Sequence, residues 1–568
     1  MEKAKNVQAK PAEAAAGPRP TQGAGSAVNP FVNNNMEGSQ QKLTFEEVIG
    51  HRKPTRVFLV LVVLFLLILI ALLIPLVVFV LERNELANEV DELRTSNDIC
   101  TSEQCIKSAA KYLQSMNSQA DPCSNFFEYA CGGWVKEKVI PEDRSSYSAF
   151  TVLREEVGIK CKDLFKRESI AGEPKSITSV RNFYKSCLDL DAMNDLHAQP
   201  LIDLLVAVGG WPVLGTRRGG NWDASTFHFE RFWALLSGKY SCDLIVSSWV
   251  GTDDKNSTNY MLKLDQPSIG LGNRDYYREP QFDKERAAYI QYMVDVIVEL
   301  GGDEAEARRD MAEVMIFETT IANMSIAKDQ RRDNEALYNI YTLDDLMATY
   351  PQINWTMYYD LVMPEKVKPI RRDERIVNKV PVYLANVTEW LVKQDSRVIV
   401  NYMIWRLVGA MVSDLGERFI DIRQRYLNVL MGTSSTSARW KRCVDEANNV
   451  LEFATGRMYV EENFPANAKE KTIEMISNLK TAFKDMLKTN DWLQEADKKV
   501  AAEKADEMRI DVGYPDWIMN DTRLDKQYEG LDFVHDSYFG NSLLYREWSK
   551  NVSLGHLRDT MDKTAWTA

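Results

Sequence analysis

Histidine is scarce in this 568-residue sequence: there are five, His51, His197, His228, His535 and His556. No two stand at helical ligand spacing and no HExxH occurs, so no local zinc motif can be read. There is no CxxC and no Cys–His pair at zinc spacing. A GxSxG nucleophile elbow and a P-loop are also missing, which leaves no acyl-transfer or nucleotide signature. The residues themselves yield no catalytic and no metal-binding set. Outside the flank of one apolar run there is no basic block, which excludes a nucleic-acid footprint. The net charge of −13 is scattered along the chain and serves solubility. No internal repeat is found, and no cysteine precedes residue 100.

What is present is a large apolar inventory, 45% apolar and 10% aromatic residues, enough for a packed core. Residues 1–41 are the exception: rich in Ala, Pro, Gly, Asn and Gln, they read as disordered. Residues 57–81 form an uninterrupted apolar run with Pro75 inside it. As a helix it reaches about 37 Å, enough to cross a hydrocarbon core of ~30 Å with some tilt. A cleaved signal peptide would be shorter, nearer the N-terminus and followed by small residues, whereas Glu82-Arg83-Asn84-Glu85 follows here. The run therefore reads as an uncleaved signal anchor. Arg52, Lys53 and Arg56 on its N-terminal flank put residues 1–56 in the cytosol and everything beyond the anchor in the lumen or outside the cell.

The chemistry of the second side fits. All eight cysteines lie beyond the anchor, at 100, 105, 123, 131, 161, 187, 242 and 443, as expected of an oxidising compartment. Six glycosylation sequons, at Asn256, Asn323, Asn354, Asn386, Asn520 and Asn551, also lie there, and none falls in the tail.

Residues 82–99 read as a short helical stalk with Leu86, Val90 and Leu93 on one face. Beyond it the periodicity is mainly helical. Tyr289, Met293, Val296 and Leu300 share a face that ends at Gly301-Gly302, a C-terminal cap. Ile476, Leu479, Phe483 and Met486 form a second stripe, and Ala501, Ala505, Met508 and Val512 a third; both are expected to be helix–helix packing surfaces. Residues 244–250 and 260–264 are β-rich runs around a polar stretch, which predicts a hairpin with Asn256 at its tip. Gly270-Leu271-Gly272 reads as a turn, and Asp253-Asp254 as solvated turn residues. The fold class is mainly α, with a small β part.

Several ordered blocks point to one family. They include Cys100-Thr-Ser-Glu-Gln-Cys105, Asp121-Pro-Cys-Ser-Asn-Phe-Phe-Glu-Tyr-Ala-Cys-Gly-Gly-Trp134, Val139-Ile-Pro141, Val250-Gly-Thr-Asp-Asp-Lys-Asn256 and Arg274-Asp-Tyr-Tyr277. Trp440-Lys-Arg-Cys443, Gly456-Arg-Met-Tyr-Val460 and Val512-Gly-Tyr-Pro515 follow. The sequence resembles the neprilysin and endothelin-converting-enzyme family of zinc metallopeptidases, most of all its neprilysin branch, from about Cys100 to Trp566. The resemblance implies a mainly helical, two-lobed ectodomain around a central cavity. It implies zinc on an HExxH helix, and cleavage of small peptides on the amino side of hydrophobic residues. It divides the ectodomain into a lobe at 100–510 and the start of a catalytic lobe at 511–568, since the HExxH region of family members lies beyond Ala568. Zinc then belongs to the complete family protein, and this chain is expected to bind none and to be inactive by itself.

The resemblance further pairs Cys100 with Cys105 and Cys187 with Cys443. It leaves Cys123 and Cys131 without their family partners. Cys161 and Cys242, which have no family counterpart, are expected to pair with each other. The family's substrate-contacting arginine precedes an aromatic after Ile-Pro; here Ser146 stands before Tyr147, and Arg144, two residues earlier, is either the candidate, reaching the site from a shifted loop, or a solvated surface arginine. The expected protein is a single-pass type II enzyme of the plasma membrane, with small peptides and the bilayer as partners. The alternative is a non-catalytic, membrane-anchored isoform that binds peptides or partners. A chain ending here is expected to expose the apolar faces of its final helices, around Trp548 to Trp566, and to be retained in the endoplasmic reticulum.

Overall fold

The computed structural model describes Arg83 and residues 100–465 and 467–566. The tail, the expected anchor at 57–81 and nearly all of the stalk lie outside the described residues. Among those described, no single helix is long and apolar enough to cross a membrane. One bent pair, Ser396–Asp414 with Glu417–Met431, passes on length and composition alone, but it turns through 112° and its apolar residues belong to a core.

The chain divides into two compact units at Leu113/Gln114. In the first, the Cys100–Cys105 disulfide stands just ahead of the helix Glu103–Ser115 and within its first turn. The second unit holds two hydrophobic cores. The larger is built by helices between residues 199 and 431 and by a four-stranded sheet. Strands β1 (Ser247–Thr252) and β2 (Tyr260–Asp265) form the expected hairpin, with Ser247 opposite Asp265 and Thr252 opposite Tyr260. Beyond them, β3 (Ile340–Thr342) and β4 (Arg375–Asn378) complete the order β1-β2-β4-β3, with β4 parallel to β2. Asn256 is exposed in the hairpin loop. Asp253 departs from expectation: it is buried, accepting from Tyr338 Oη at 2.8 Å and from the Lys255 amide at 3.0 Å, so it organises the loop instead of being solvated.

The helix Asp283–Glu299 buries Tyr289, Met293 and Val296. It ends as predicted: Gly301 has φ +86°, a conformation that excludes most side chains, and the Gly302 amide donates to Ile297 O at 2.8 Å. Gly270 is fixed by a buried carboxylate: Glu318 accepts from its amide at 2.9 Å, from Tyr277 Oη at 2.8 Å and from Arg406 at 2.9 Å. A side chain at position 270 would collide with Tyr289 Oη.

The second core is discontinuous in sequence. Helices Ala149–Phe165 and Lys175–Leu188 pack with Arg439–Val450, Glu452–Asn463 and residues 518–538. Residues beyond 510 thus share a core with residues near 180. The Cys187–Cys443 disulfide, S–S 2.06 Å, crosses it. The helix Tyr538–Gly555 joins both cores, since Tyr538 belongs to the second and Phe539 and Leu554 to the first. Its Lys550, buried, donates to both Asp243 carboxylate oxygens at 3.0 Å and to Ser248 O at 2.9 Å.

Two expectations about apolar surface need correction. Trp548 and Trp566 pack against the second core, and Trp548 Nε1 donates to Glu529 O at 2.9 Å, so this region does not present the exposed face. The exposed face lies on the helix pair Ala468–Thr489 and Glu495–Asp506 instead. There Leu479, Phe483 and Met486 are exposed, as is Met508 just beyond the second helix, and Leu487 and Ala505 are the buried residues of the pair.

Candidate functional site

A cavity of about 1050 Å³ opens where the second core meets the helix Glu417–Met431. Local sequence explains its walls. Ser148 caps the helix Ala149–Phe165 by accepting from the Thr151 amide, so residues 141–148 are free to run as a loop. Gly432, at φ +69°, ends the helix Glu417–Met431 and sends 433–438 back across the cavity. The two loops are tied: Glu142 O accepts from the Ser434 amide at 2.9 Å, and Ser437 Oγ donates to Asp143 at 2.6 Å. That hydroxyl, together with Lys441 and Arg144 nearby, outweighs partial burial and holds the Asp143 carboxyl below its usual range.

Arg144 lies on this wall, part-buried, donating to Glu155 at 3.1 Å. Glu155 also accepts from Tyr147 Oη at 3.2 Å and Lys441 Nζ at 3.2 Å. Burial pushes the Glu155 carboxyl up, but Lys441, Arg144 and Tyr147 together leave it below the usual range. The Arg144 Nε is buried without a hydrogen-bond partner. Ser146 is exposed on the same loop and also lines the cavity.

Opposite, Arg439 donates through Nε to Cys187 O at 2.7 Å and lies over the Tyr538 ring at 5.4 Å. Burial and the neighbouring Arg442 lower its guanidinium to about 10. Arg442 pairs with Asp414 at 2.9 Å. Glu155, Arg439, Arg442 and Lys441 were not singled out from the sequence. The three cations have one local signal, the Arg-Trp-Lys-Arg-Cys run at 439–443, which places them on the first turns of one helix; Glu155 has none.

The cysteines divide into bonded and free. Cys100–Cys105 and Cys187–Cys443 are bonded. The expected Cys161–Cys242 bridge is not formed: both are buried free thiols, in different cores, and burial pushes each up to about 11. Neither core can release its cysteine toward the other without opening. Cys123 is an exposed and Cys131 a part-buried free thiol among the described residues. All six sequon asparagines are exposed.

Among the described residues, no group of three or more His, Cys, Asp or Glu side chains could hold a metal ion. His197 and His535 border one small pocket, and Asp559 accepts from His556 Nδ1 at 3.0 Å while the His556 ring stacks on Tyr260. These residues do not fit a zinc site.

The profile of Peptidase family M13 matches residues 122–515. The human membrane metallo-endopeptidase-like 1 is 33% identical over 492 residues, covering 84% of this chain and 62% of that protein. Mouse neprilysin is 34% identical, covering 82% and 64%, and a Locusta migratoria endothelin-converting enzyme homolog is 33% identical, covering 84% and 66%. A zinc metalloprotease of Mycobacterium tuberculosis, solved with an inhibitor, shares the fold at TM-score 0.67 and 22% identity, covering 80% of this chain and 66% of that one. The chain spans a little under two thirds of the length of the curated relatives it matches. With the family profile matched over residues 122–515, well over half of its length, the chain belongs to peptidase family M13.

Proposed function

We propose that this chain forms the peptide-binding wall of a neprilysin-type, membrane-anchored metalloendopeptidase that acts on small bioactive peptides. The observation that carries this reading is the cavity of about 1050 Å³, bordered by Arg144 and Arg439 and built on M13 family sequence. Its size suits several peptide residues, and its loops are cross-tied, so the wall is set before a ligand arrives. Leu190, Leu427 and Met431 supply apolar lining, while the arginines and the 435–437 hydroxyls supply donors for peptide carbonyls and carboxylates. Zinc, in a complete family protein, would polarise the scissile carbonyl and activate water. The residues described here supply no ligands for it, and we assign the chain no hydrolytic step. The type II topology, the plasma-membrane location and the glycans belong to the same proposal, supported by the apolar run at 57–81 and the exposed sequons.

Fluorescence anisotropy of a labelled hydrophobic hexapeptide against the purified full chain tests this reading, alongside a zinc assay and a phosphoramidon-controlled hydrolysis assay. Saturable peptide binding without stoichiometric zinc and without cleavage is expected. Absence of peptide binding refutes the cavity assignment, and phosphoramidon-sensitive cleavage by the 568-residue polypeptide refutes the non-hydrolytic one.

A further inference from the structure

Beside the large cavity lies a smaller one of about 440 Å³. The two share a wall made of Ser413, Arg423, Arg442 and Glu446. The far side of the small pocket is the helix Tyr538–Gly555, which brings Arg546 with the hydroxyls of Ser542 and Ser549.

Its charges do not cancel. Arg423, Arg442 and Arg546 face only two carboxylates, Asp414 and Glu446. Arg442 is committed: it donates to Asp414 at 2.9 Å and to Ser413 O at 2.7 Å, with Nε 3.9 Å from Glu446. Arg546 donates to one backbone carbonyl, Ala410 O, at 2.9 Å. Neither Arg423 nor Arg546 has a carboxylate at ion-pair distance among the described residues, and the Arg423 side chain makes no hydrogen bond to any of them. Arg144 on the large cavity, by contrast, is tied to Glu155. Two half-buried guanidiniums line the pocket together with serine hydroxyls, and three arginines against two carboxylates leave one cationic charge in excess.

We propose that this small pocket is a carboxylate subsite: it receives one acidic group of a peptide whose body lies in the larger cavity. This rests on the peptide-cavity reading above and adds to it a preference. The group is either an acidic side chain or the C-terminal carboxylate. A single carboxylate balances the pocket, and the planar guanidiniums offer it paired N–H donors on either side.

The test uses the full chain and four labelled hexapeptides: one carrying a Glu, its Gln twin, and the C-terminally amidated form of each. Anisotropy titrations give their affinities for the wild-type chain, for R423Q and for R423Q/R546Q, with circular dichroism melts as the check on folding. The Arg423 side chain supports no described hydrogen bond, so R423Q keeps the fold even should the double variant lose it. About tenfold weaker binding is expected when the recognised carboxylate is removed from the peptide. A similar loss is expected in R423Q and R423Q/R546Q for the acidic ligand, with no further loss for its neutral twin. Weakening on Glu-to-Gln exchange assigns the side chain, and weakening on amidation assigns the C-terminus; either supports the subsite. Equal affinities of all four peptides for the wild-type chain overturn the subsite and leave the cavity reading standing. An equal loss for all four in the variants also overturns it, as general electrostatics. No binding by any peptide overturns both.

Discussion

The helices around Tyr402 and the helix pair at 468–506 carry apolar stripes of the same period, yet they end up in opposite environments. On Ser396–Met411 almost every large side chain is buried, and Trp405 Nε1 even donates to Tyr289 Oη at 2.7 Å inside the core. On Ala468–Thr489 the stripe faces outward, with Leu479 61% and Met486 68% exposed. The pair is held by Leu487, Ala505 and lysines: Lys484 meets Asp506 at 2.7 Å, and Lys480 reaches the carbonyls of Asp506 and Met508. Helical periodicity specifies which face is apolar; it does not specify what covers that face.

The contrast can be broken from the tightly held side first. Removing the Cys187–Cys443 bond with Cys187→Ser is expected to cost about 5 kcal/mol by loop entropy, against about 2 for Cys100→Ser, whose bridge closes a short loop. Guanidinium unfolding followed by tryptophan fluorescence reads the difference, and equal midpoint shifts would count against it. Next, Leu407→Ala in the first core is expected to cost about 2–5 kcal/mol, because its side chain is fully buried and leaves a cavity.

Smaller effects sharpen the comparison. Glu155→Gln weakens the tie between the Arg144 loop and Lys441 by about 1–2 kcal/mol. Because the folded Glu155 carboxyl lies below its unfolded value, its contribution is complete above the ordinary carboxylate range near ~4.3 and is lost as pH falls through the lower folded value. The wild type should therefore approach the variant's stability in acid but not at neutral pH. Smallest in stability, Leu479→Ser and Phe483→Ser on the helix pair are expected to change the unfolding midpoint by no more than about 0.5 kcal/mol. They should instead lower self-association in light scattering; a core-sized loss of stability would mean the face is covered after all.

The sequons divide along the same line of exposure. Thr388 is buried, donating to Leu384 O at 2.9 Å, and Ser325 is buried against Ile321 O at 2.8 Å. Purified oligosaccharyltransferase acting on the folded chain should therefore modify Asn256, whose Thr258 is exposed, and leave Asn323 and Asn386 bare. Site-resolved mass spectrometry finding Asn386 modified after folding would contradict this.

The local features were legible because they are local: the β1–β2 hairpin, the Gly301 cap and the helical stripes each depend on a few adjacent residues. What could not be read is what distant segments do to one another. Asp253 looked like a solvated turn residue until Tyr338, 85 positions away, is seen to donate to it. Cys161 and Cys242 share a chemistry, but they belong to separate cores. The cavity shows the same limit. Arg144 was named as the arginine two residues ahead of the motif position that Ser146 occupies, while its anchor Glu155 and the facing Arg439 acquire their roles only when residues 144–155 meet 433–446.

The bond between Cys187 and Cys443 also sets a clock. Its halves are 256 residues apart in sequence. At about 5–20 residues per second of synthesis, Cys187 waits between about 13 and 50 seconds for its partner to be made. Throughout that interval Cys123, Cys131 and Cys161 have already been made and stand ready as wrong partners. The yield of correctly joined chains is then decided by a race between mispairing and elongation, and slowing translation between positions 187 and 443 should lower it.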